Sequence, residues 1–77
     1  MLKDLLQYMA EQLVTKPEEV SVTESESGGE TKLELRVGQG DMGKVIGRGG
    51  SIAKDLRYIV RAAAPQGKRV NVEIVDQ

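Results

Sequence analysis

The sequence predicts a small α+β domain whose elements follow the order α-β-β-α-α-β. Three observations support this prediction. Apolar residues recur at helical spacing near the N-terminus, which is typical of an amphipathic helix. They alternate with polar residues in three later runs, which is typical of strands with one buried face. A glycine-rich segment between the second and third of these runs joins two short stretches that again have helical spacing.

The length and composition limit the kind of protein this can be. The 77 residues leave room for one domain, residues 1–77, with one core built without Phe or Trp. The chain has neither Cys nor His, so it lacks thiolate and imidazole metal ligands and the commonest catalytic base. No group of acidic residues has the spacing of a calcium loop. We therefore expect no cofactor, no enzymatic activity and no small-molecule substrate, and a shallow groove rather than an enclosed cavity.

The first helix is predicted over residues 2–14. Its apolar positions are Leu2, Leu5, Leu6, Met9 and Leu13. Pro17 ends it, because proline restricts the residue before it and cannot donate a backbone hydrogen bond. Lys3 and Asp4 interrupt the apolar stretch, which argues against a signal peptide or a membrane-spanning helix. We therefore expect a cytoplasmic protein without membrane contact.

A hairpin is predicted after this helix. Val20 and Val22 alternate with polar neighbours and indicate a first strand near residues 19–26. Ser27-Gly28-Gly29 indicates the turn, since glycine adopts positive φ without steric cost. The second strand has alternating apolar residues at Leu33, Leu35 and Val37, and a last strand near the C-terminus has them at Val70, Val72 and Ile74. The polar residues between them predict a sheet face that is exposed to solvent.

Two helices are predicted on either side of the glycines. Asp41 is expected to cap the first, which follows Gly38-Gln39-Gly40, has Met42, Val45 and Ile46 as its apolar positions and ends at Gly47. Ser51 is expected to cap the second, which runs to about Ala64, before Pro65-Gln66-Gly67. The predicted buried stripe of this second helix is Ile52, Leu56, Ile59, Val60 and Ala63. Lys54, Arg57 and Arg61 fall on its opposite side.

Charge is distributed unevenly along the chain. The formal net charge is −1, but residues 1–40 carry four basic and eight acidic side chains, whereas residues 41–77 carry seven basic and four acidic. Between Met42 and Val72, Asp55 is the only acidic residue against seven basic ones. Such a local basic excess is typical of a surface that faces phosphates.

The segment Gly47-Arg48-Gly49-Gly50 is the best candidate for a binding site. Its glycines leave backbone N–H groups unhindered by side chains, and the N-terminus of a helix follows directly. Arg48 adds a positive charge at the tip of the loop. Together these features predict a site for phosphate groups.

Three alternatives compete with that interpretation. The residues 38–43 match the dinucleotide pattern G-x-G-x-x-G, but the helix that follows is broken at Gly47, and no acidic residue ends a further strand about 20 residues on. The glycines also suit a helix–helix turn that binds nothing. The third alternative is a protein-interaction module with a vestigial loop. Arg48 favours RNA over this last alternative, because a basic loop attracts phosphate and an acidic loop repels it.

The same loop carries a family resemblance. Ile46-Gly47-Arg48-Gly49-Gly50 resembles the Ile-Gly-x-x-Gly core of KH domains, which clamp about four nucleotides of single-stranded RNA. The longer stretch GKVIGRGGSIAKDLRYIVRAAA is similar to the KhpA (YlqC) family of small bacterial KH-domain RNA-binding proteins. The resemblance implies a single type II KH domain, with a three-stranded sheet and its helices packed on one face.

The resemblance also implies a site. Its RNA-binding residues correspond to Lys44, Ile46, Gly47, Arg48, Gly49, Gly50, Ser51 and Lys54. Val45, Ile52 and Leu56 match the apolar groove floor, although core positions explain them equally well. For Arg57 and Arg61 a solvated helix face is the favoured explanation, and for Tyr58 a packing role, which leaves little base stacking and predicts weak, poorly selective binding.

Partners and a cellular role follow from the resemblance alone. It implies a homodimer, a complex with a larger KH-containing protein of the Jag (KhpB) type, or both. It also implies a low-specificity RNA chaperone or post-transcriptional regulator with a role in cell shape. None of these properties can be derived from the residues themselves.

Overall fold

The computed structural model describes residues 1–75. Its regular elements are α1 (Leu2–Leu13), β1 (Ser21–Ser27), β2 (Glu30–Arg36), α2 (Met42–Ile46), α3 (Ser51–Ala63) and β3 (Arg69–Ile74), with single 3₁₀ turns at Pro17–Glu19 and Arg48–Gly50. The predicted order α-β-β-α-α-β is therefore confirmed. Within the described chain, no helix has both the length and the apolar character that crossing a membrane requires.

The three strands form one mixed sheet in the order β1-β2-β3. β1 is antiparallel to β2, and β3 runs parallel to β2. A parallel neighbour needs a crossover connection, and here the two helices α2 and α3 with the glycine loop between them supply it. The sheet therefore places the glycine loop inside the connection between its central strand and one of its edge strands.

The start of β1 and the turn after it differ from the prediction by one or two residues. β1 begins at Ser21 instead of residue 19, because Pro17 opens a 3₁₀ turn and its carbonyl accepts a hydrogen bond from the Val20 N–H at 3.2 Å. Ser27 belongs to the strand and pairs with Glu30, so the hairpin loop contains two residues, Gly28 and Gly29. Both have positive φ, as a two-residue hairpin loop favours.

The helices lie on one face of the sheet, as expected. α1 packs on β1 and β2, and α3 packs on β3 and on α1. The buried apolar residues of the strands are Val22, Leu33, Leu35, Val70 and Val72, and they meet Leu6 and Ala10 of α1 and Leu56 and Val60 of α3. The opposite face is polar, with Lys32 placed 3.7 Å from Glu34 and 3.6 Å from Glu73. Burial of the apolar face holds the sheet and helices together.

The buried stripe of α3 is rotated from the predicted one. Its buried residues are Ala53, Leu56 and Val60. Ile59 is 42% exposed, and Ala63 is also exposed, so both of these predictions are wrong. Ala53 is 4% exposed, and an alanine gives little hydropathy signal from which a buried face can be recognised.

Neither predicted helix cap forms its expected hydrogen bond. Asp41 stands at the N-cap position of α2, but its side chain does not cap the helix. Ser51 is the first residue of α3, and the residue at the N-cap position is Gly50, in the left-handed conformation. A residue that has already entered the helix no longer has the extended backbone with which a serine caps.

Asp41 has a different structural role. It is 1% exposed, and its carboxylate accepts hydrogen bonds from the Thr15 N–H at 3.2 Å, the Thr15 hydroxyl at 2.8 Å and the Lys16 N–H at 3.1 Å. Lys16 Nζ donates to Gln39 O at 2.6 Å. Burial raises the pKa of Asp41. The hydrogen bonds from Thr15 and Lys16 and the charge of Lys16 lower the pKa by more than burial raises it, so it lies below the ordinary 3.8. The carboxylate thus fastens the exit of α1 to the start of α2.

Candidate nucleic-acid interface

The backbone conformation of the glycine loop explains why glycine occupies three of its four positions. Gly47, Gly49 and Gly50 all have positive φ, at 75°, 64° and 81°. Gly47 is also in close contact with α3, since a Cβ added there would lie 2.7 Å from Ile52 Cγ1 and 2.9 Å from Ile52 N. Only glycine satisfies both conditions. Gly47 therefore lets the end of α2 sit directly against the first turn of α3.

The tip of the loop is open to solvent. The Gly50 N–H donates to Gly47 O at 3.1 Å, and the Ser51 N–H donates to Arg48 O. Among residues 1–75, none accepts a hydrogen bond from the N–H of Arg48 or Gly49. A Cβ added at Gly49 would meet nothing within 4 Å. Two adjacent backbone donors are thus accessible to a ligand beside the side chain of Arg48.

The residues predicted to bind RNA surround this tip. Lys44 lies in the last turn of α2 and Lys54 in the first turn of α3, one on each side of the loop. The exposed members are Lys44, Arg48, Gly49, Ser51 and Lys54, and the half-buried ones are Ile46, Gly47 and Gly50. Of the candidate floor residues, Ile52 is half-buried and available, whereas Val45 and Leu56 are in the core.

A shallow depression continues from the loop along α3. It has a volume of about 480 Å³ and is lined by Lys54, Arg57, Tyr58, Arg61 and Ala62. We call this surface the basic face. No acidic side chain lines it, and Asp55 lies on the other side of the helix. A row of positive side chains therefore extends from Arg48 along α3, with no carboxylate among the residues that line the basic face.

Two arginines of the basic face connect the helix to the open edge of the sheet. Arg57 Nε donates to Val72 O at 3.1 Å, and Arg61 Nε donates to Val70 O at 3.3 Å. β3 is an edge strand, so these two carbonyls belong to its unpaired side. Arg61 is exposed and Arg57 half-buried, so the expected solvated face is retained in part, and each guanidinium is in addition anchored on the strand.

Tyr58 is also placed differently from the prediction. It is 74% exposed and lines the basic face together with Lys54 and the two arginines, so the packing role predicted for it is wrong. An exposed aromatic ring beside cationic side chains offers a stacking surface for a base. The prediction grouped only Lys54, Arg57 and Arg61, and the spacing of Tyr58 from Lys54 and Arg61, four and three positions, is the signal that could have added it to this face.

Comparisons with known proteins identify the family. Residues 3–74 match the model of the family described as KhpA/KhpB, KH domain. The chain belongs to this KH-domain family. It is 48% identical over 75 residues to the RNA-binding protein KhpA of Clostridium perfringens, covering 96% of this chain and 100% of the relative. It is 45% identical over 76 residues to the RNA-binding protein KhpA of Halalkalibacterium halodurans, and the match covers 97% of this chain and 100% of that relative. No solved structure matches the chain.

The second surface of this KH domain lies on the opposite side of α3. A groove of about 350 Å³ is lined by Tyr8, Met9, Gln12 and Leu13 of α1 and by Ile52, Asp55 and Leu56 of α3. We call it the apolar groove. Tyr8 and Leu13 are 62% and 38% exposed. The sequence analysis did not predict this groove, because helical periodicity identifies the apolar positions of α1 but not which of them the packing of α3 leaves exposed.

Proposed function

We propose that this KH domain, as one unit over residues 1–77, binds single-stranded RNA with the loop at residues 47–50 and the adjoining basic face. The observation that carries the proposal is the pair of accessible N–H groups at Arg48 and Gly49, at the end of a face without acidic side chains. The relatives named RNA-binding protein KhpA support the same ligand class. The function is binding, without catalysis.

Each part of the site has a physical task in this proposal. A phosphate oxygen accepts hydrogen bonds from the free loop amides, and the guanidinium of Arg48 pairs with it. Lys44 and Lys54 neutralise neighbouring phosphates, and the Ser51 hydroxyl adds an exposed donor. The half-buried Ile46 supplies apolar contact to sugars and bases. With a single loop and one exposed tyrosine, we expect micromolar or weaker affinity.

Salt dependence tests this proposal directly. Release of counterions from two or three phosphates gives a slope of log K against log salt of about −1.4 to −2, at about −0.7 per phosphate on single strands. The measurement is a titration of a short unstructured RNA at several salt concentrations, followed by amide NMR so that the shifted residues report the site. If affinity does not depend on salt, the loop does not bind phosphates. If the chemical-shift changes are confined to the apolar groove, the RNA binds there and not at the loop and basic face.

We also propose that the apolar groove mediates self-association or a complex with a Jag/KhpB-type KH-containing protein. Its exposed tyrosine and leucine side chains would lose contact with water on association. Two linked copies raise the effective RNA concentration for a weak single site. In this proposal the protein acts as a cytoplasmic RNA chaperone or post-transcriptional regulator that influences cell shape.

The oligomeric state tests this second proposal. We expect sedimentation of the wild-type chain to show a dimer at micromolar concentration and Leu13→Glu to shift it to monomer. Ser25→Glu adds the same charge at an exposed position of β1 and should leave the dimer intact. A wild-type monomer at high micromolar concentration removes the self-association proposal and leaves the RNA site unaffected.

A further inference from the structure

We propose that Arg57 and Arg61 make the basic face selective for a base, so that it favours guanine over adenine at the position beside β3. This inference rests on the proposed RNA-binding function and names the base that the same surface accepts. It concerns the part of the basic face at which Arg57 and Arg61 contact the edge of β3, whereas in the proposed function the loop binds phosphates, which carry no sequence information.

The first step concerns the acceptors at the strand edge. An unpaired edge strand presents carbonyl groups that accept hydrogen bonds from any donor, including the amino groups of adenine and cytosine. Here the carbonyls of Val70 and Val72 already accept bonds from Arg61 Nε and Arg57 Nε, at 3.3 and 3.1 Å. The two arginines thereby occupy these acceptors on the open edge of β3 and place their own donors in front of them.

The second step concerns what the arginines present instead. A guanidinium has five N–H donors and no acceptor, and the bond from Nε leaves four donors on the two Nη atoms. Within the described residues, neither arginine has another hydrogen-bond or ion-pair partner. Both side chains line the depression of the basic face. The edge of β3 is thus converted from a surface of acceptors into a surface of donors held in a fixed orientation.

The third step identifies the base that complements such a surface. Guanine presents two adjacent acceptors, O6 and N7, which match the fork of one guanidinium, whereas adenine presents N7 beside an amino donor. A donor facing a donor leaves both unpaired when water is excluded, and this penalty disfavours adenine. The exposed ring of Tyr58 lines the same face as the two arginines and supplies a stacking surface for the purine.

The test compares RNAs that differ at one base. Nine-nucleotide oligouridines with a single central guanosine or adenosine are titrated with the wild-type chain, and we expect the guanosine RNA to bind about fivefold more tightly or better. Inosine retains O6 and N7 and should match guanosine. 7-Deazaguanosine lacks N7 and should bind less tightly than guanosine. Equal binding of guanosine and adenosine RNAs, or a preference for adenosine, overturns the inference.

The variant Arg57→Lys with Arg61→Lys ties the preference to these side chains. Lysine retains the charge but lacks the planar fork, so affinity for plain oligouridine should persist while the preference for guanosine falls to about twofold or less. Circular dichroism checks folding, and Arg57→Lys alone replaces the double variant if that one unfolds. A guanosine preference that survives in the variant overturns the inference. If the wild type binds none of the RNAs, the proposed function itself fails, which is a different result from equal binding.

Discussion

On its two sides, helix α3 borders depressions of comparable size. The one toward β3 has a volume of about 480 Å³, and the one toward α1 about 350 Å³. The charges that line them differ: Lys54, Arg57 and Arg61 face the first, whereas mainly apolar side chains and Asp55 face the second. Both also expose a tyrosine, Tyr58 on the basic face and Tyr8 in the apolar groove.

The difference teaches that the shape of a depression does not by itself distinguish the surface that we propose for RNA from the other one. Between Met42 and Val72 the chain has a single acidic residue, and α3 directs it into the apolar groove. The attraction of a surface for phosphate depends on local charge, so a carboxylate placed on the basic face would weaken its positive field. The distribution of charge around one helix is therefore the basis on which we propose one side for nucleic acid and the other for protein contact.

The largest expected effect comes from reversing the charge of the loop. Arg48→Asp with Gly49→Asp removes one attraction and adds two carboxylates on the path of the phosphates, each worth about 1 kcal/mol of repulsion at 4 Å in water. We expect RNA affinity to fall at least about 50-fold, measured by fluorescence anisotropy. Association through the apolar groove should not change.

A matched variant separates charge from backbone strain in that experiment. Gly49 has φ of 64°, where Asn and Asp are tolerated at a cost of about 1 kcal/mol. Arg48→Gln with Gly49→Asn has the same strain without the negative charges, and it should retain more affinity than the Asp pair. If both pairs bind equally well, electrostatic repulsion is not the cause, and if the Asp pair binds like wild type, the loop is not the site.

The next effect in size distinguishes two glycines of the loop. Gly47→Ala places a methyl group against Ile52 at a backbone conformation reserved for glycine, so we expect a loss of about 3 kcal/mol in the free energy of unfolding. Gly49→Ala meets no atom and should cost about 1 kcal/mol. Urea unfolding measures both. Because Ile52 also lines the apolar groove, Gly47→Ala should disturb both sides of α3, and equal losses for the two variants would contradict this assignment.

The two exposed tyrosines provide an internal control for stacking. Tyr58→Ala should weaken RNA binding about tenfold, within the range of about 1–3 kcal/mol reported for stacking of one base on an aromatic side chain. Tyr8→Ala, in the apolar groove, should leave RNA affinity unchanged and weaken association. Anisotropy and sedimentation on the same pair of variants measure both outcomes. The reverse pattern would exchange the roles of the two surfaces.

The smallest predicted effect is on stability at acidic pH, and it comes from replacing Asp41, which lines neither the basic face nor the apolar groove. Its pKa is lowered in the folded state, so its stabilising contribution is present above the ordinary value of 3.8 and is lost as the pH falls through the lower folded value. We expect Asp41→Asn to flatten the acid part of the stability profile, measured by urea unfolding at several pH values. RNA affinity at neutral pH should change little.

Glu26 provides the control for that profile. Hydrogen bonds from Lys68 and Thr31 also lower its pKa, so it contributes in the same acidic range. Glu26 and Lys68 form an exposed pair, and such pairs contribute little to stability. Glu26→Gln should therefore alter the profile less than Asp41→Asn. A larger effect of Glu26→Gln would show that burial is not what makes Asp41 important.

The sequence predicted the features that local signals determine. The period of the apolar residues located the elements, and the spacing of glycines located the loop, because both depend on neighbours a few positions away. The partners of Asp41 lie 25 and 26 residues away, so no local pattern indicated that its carboxylate binds Thr15 and Lys16. The sequence made a capping role the reasonable expectation, and tertiary contact overrode it.

The basic face illustrates the same limit at the site. Periodicity placed Lys54, Arg57 and Arg61 together, but their relation to β3 depends on a strand that pairs in parallel after the crossover. The burial stripe of α3 also depends on how its neighbours approach. A rotation that buries Ala53 leaves Ile59 and Tyr58 exposed, and propensities contain no information about it.

The parallel pairing of β2 with β3 has a consequence for how the protein folds. The hairpin of β1 and β2 closes through two glycines, whereas Glu30 must pair with Arg69 across both helices and the loop. Closing the longer connection costs more chain entropy, so it should follow the hairpin in time. The carbonyls that anchor Arg57 and Arg61 belong to that late strand. Base discrimination should therefore emerge in the last step of refolding, after the hairpin has formed.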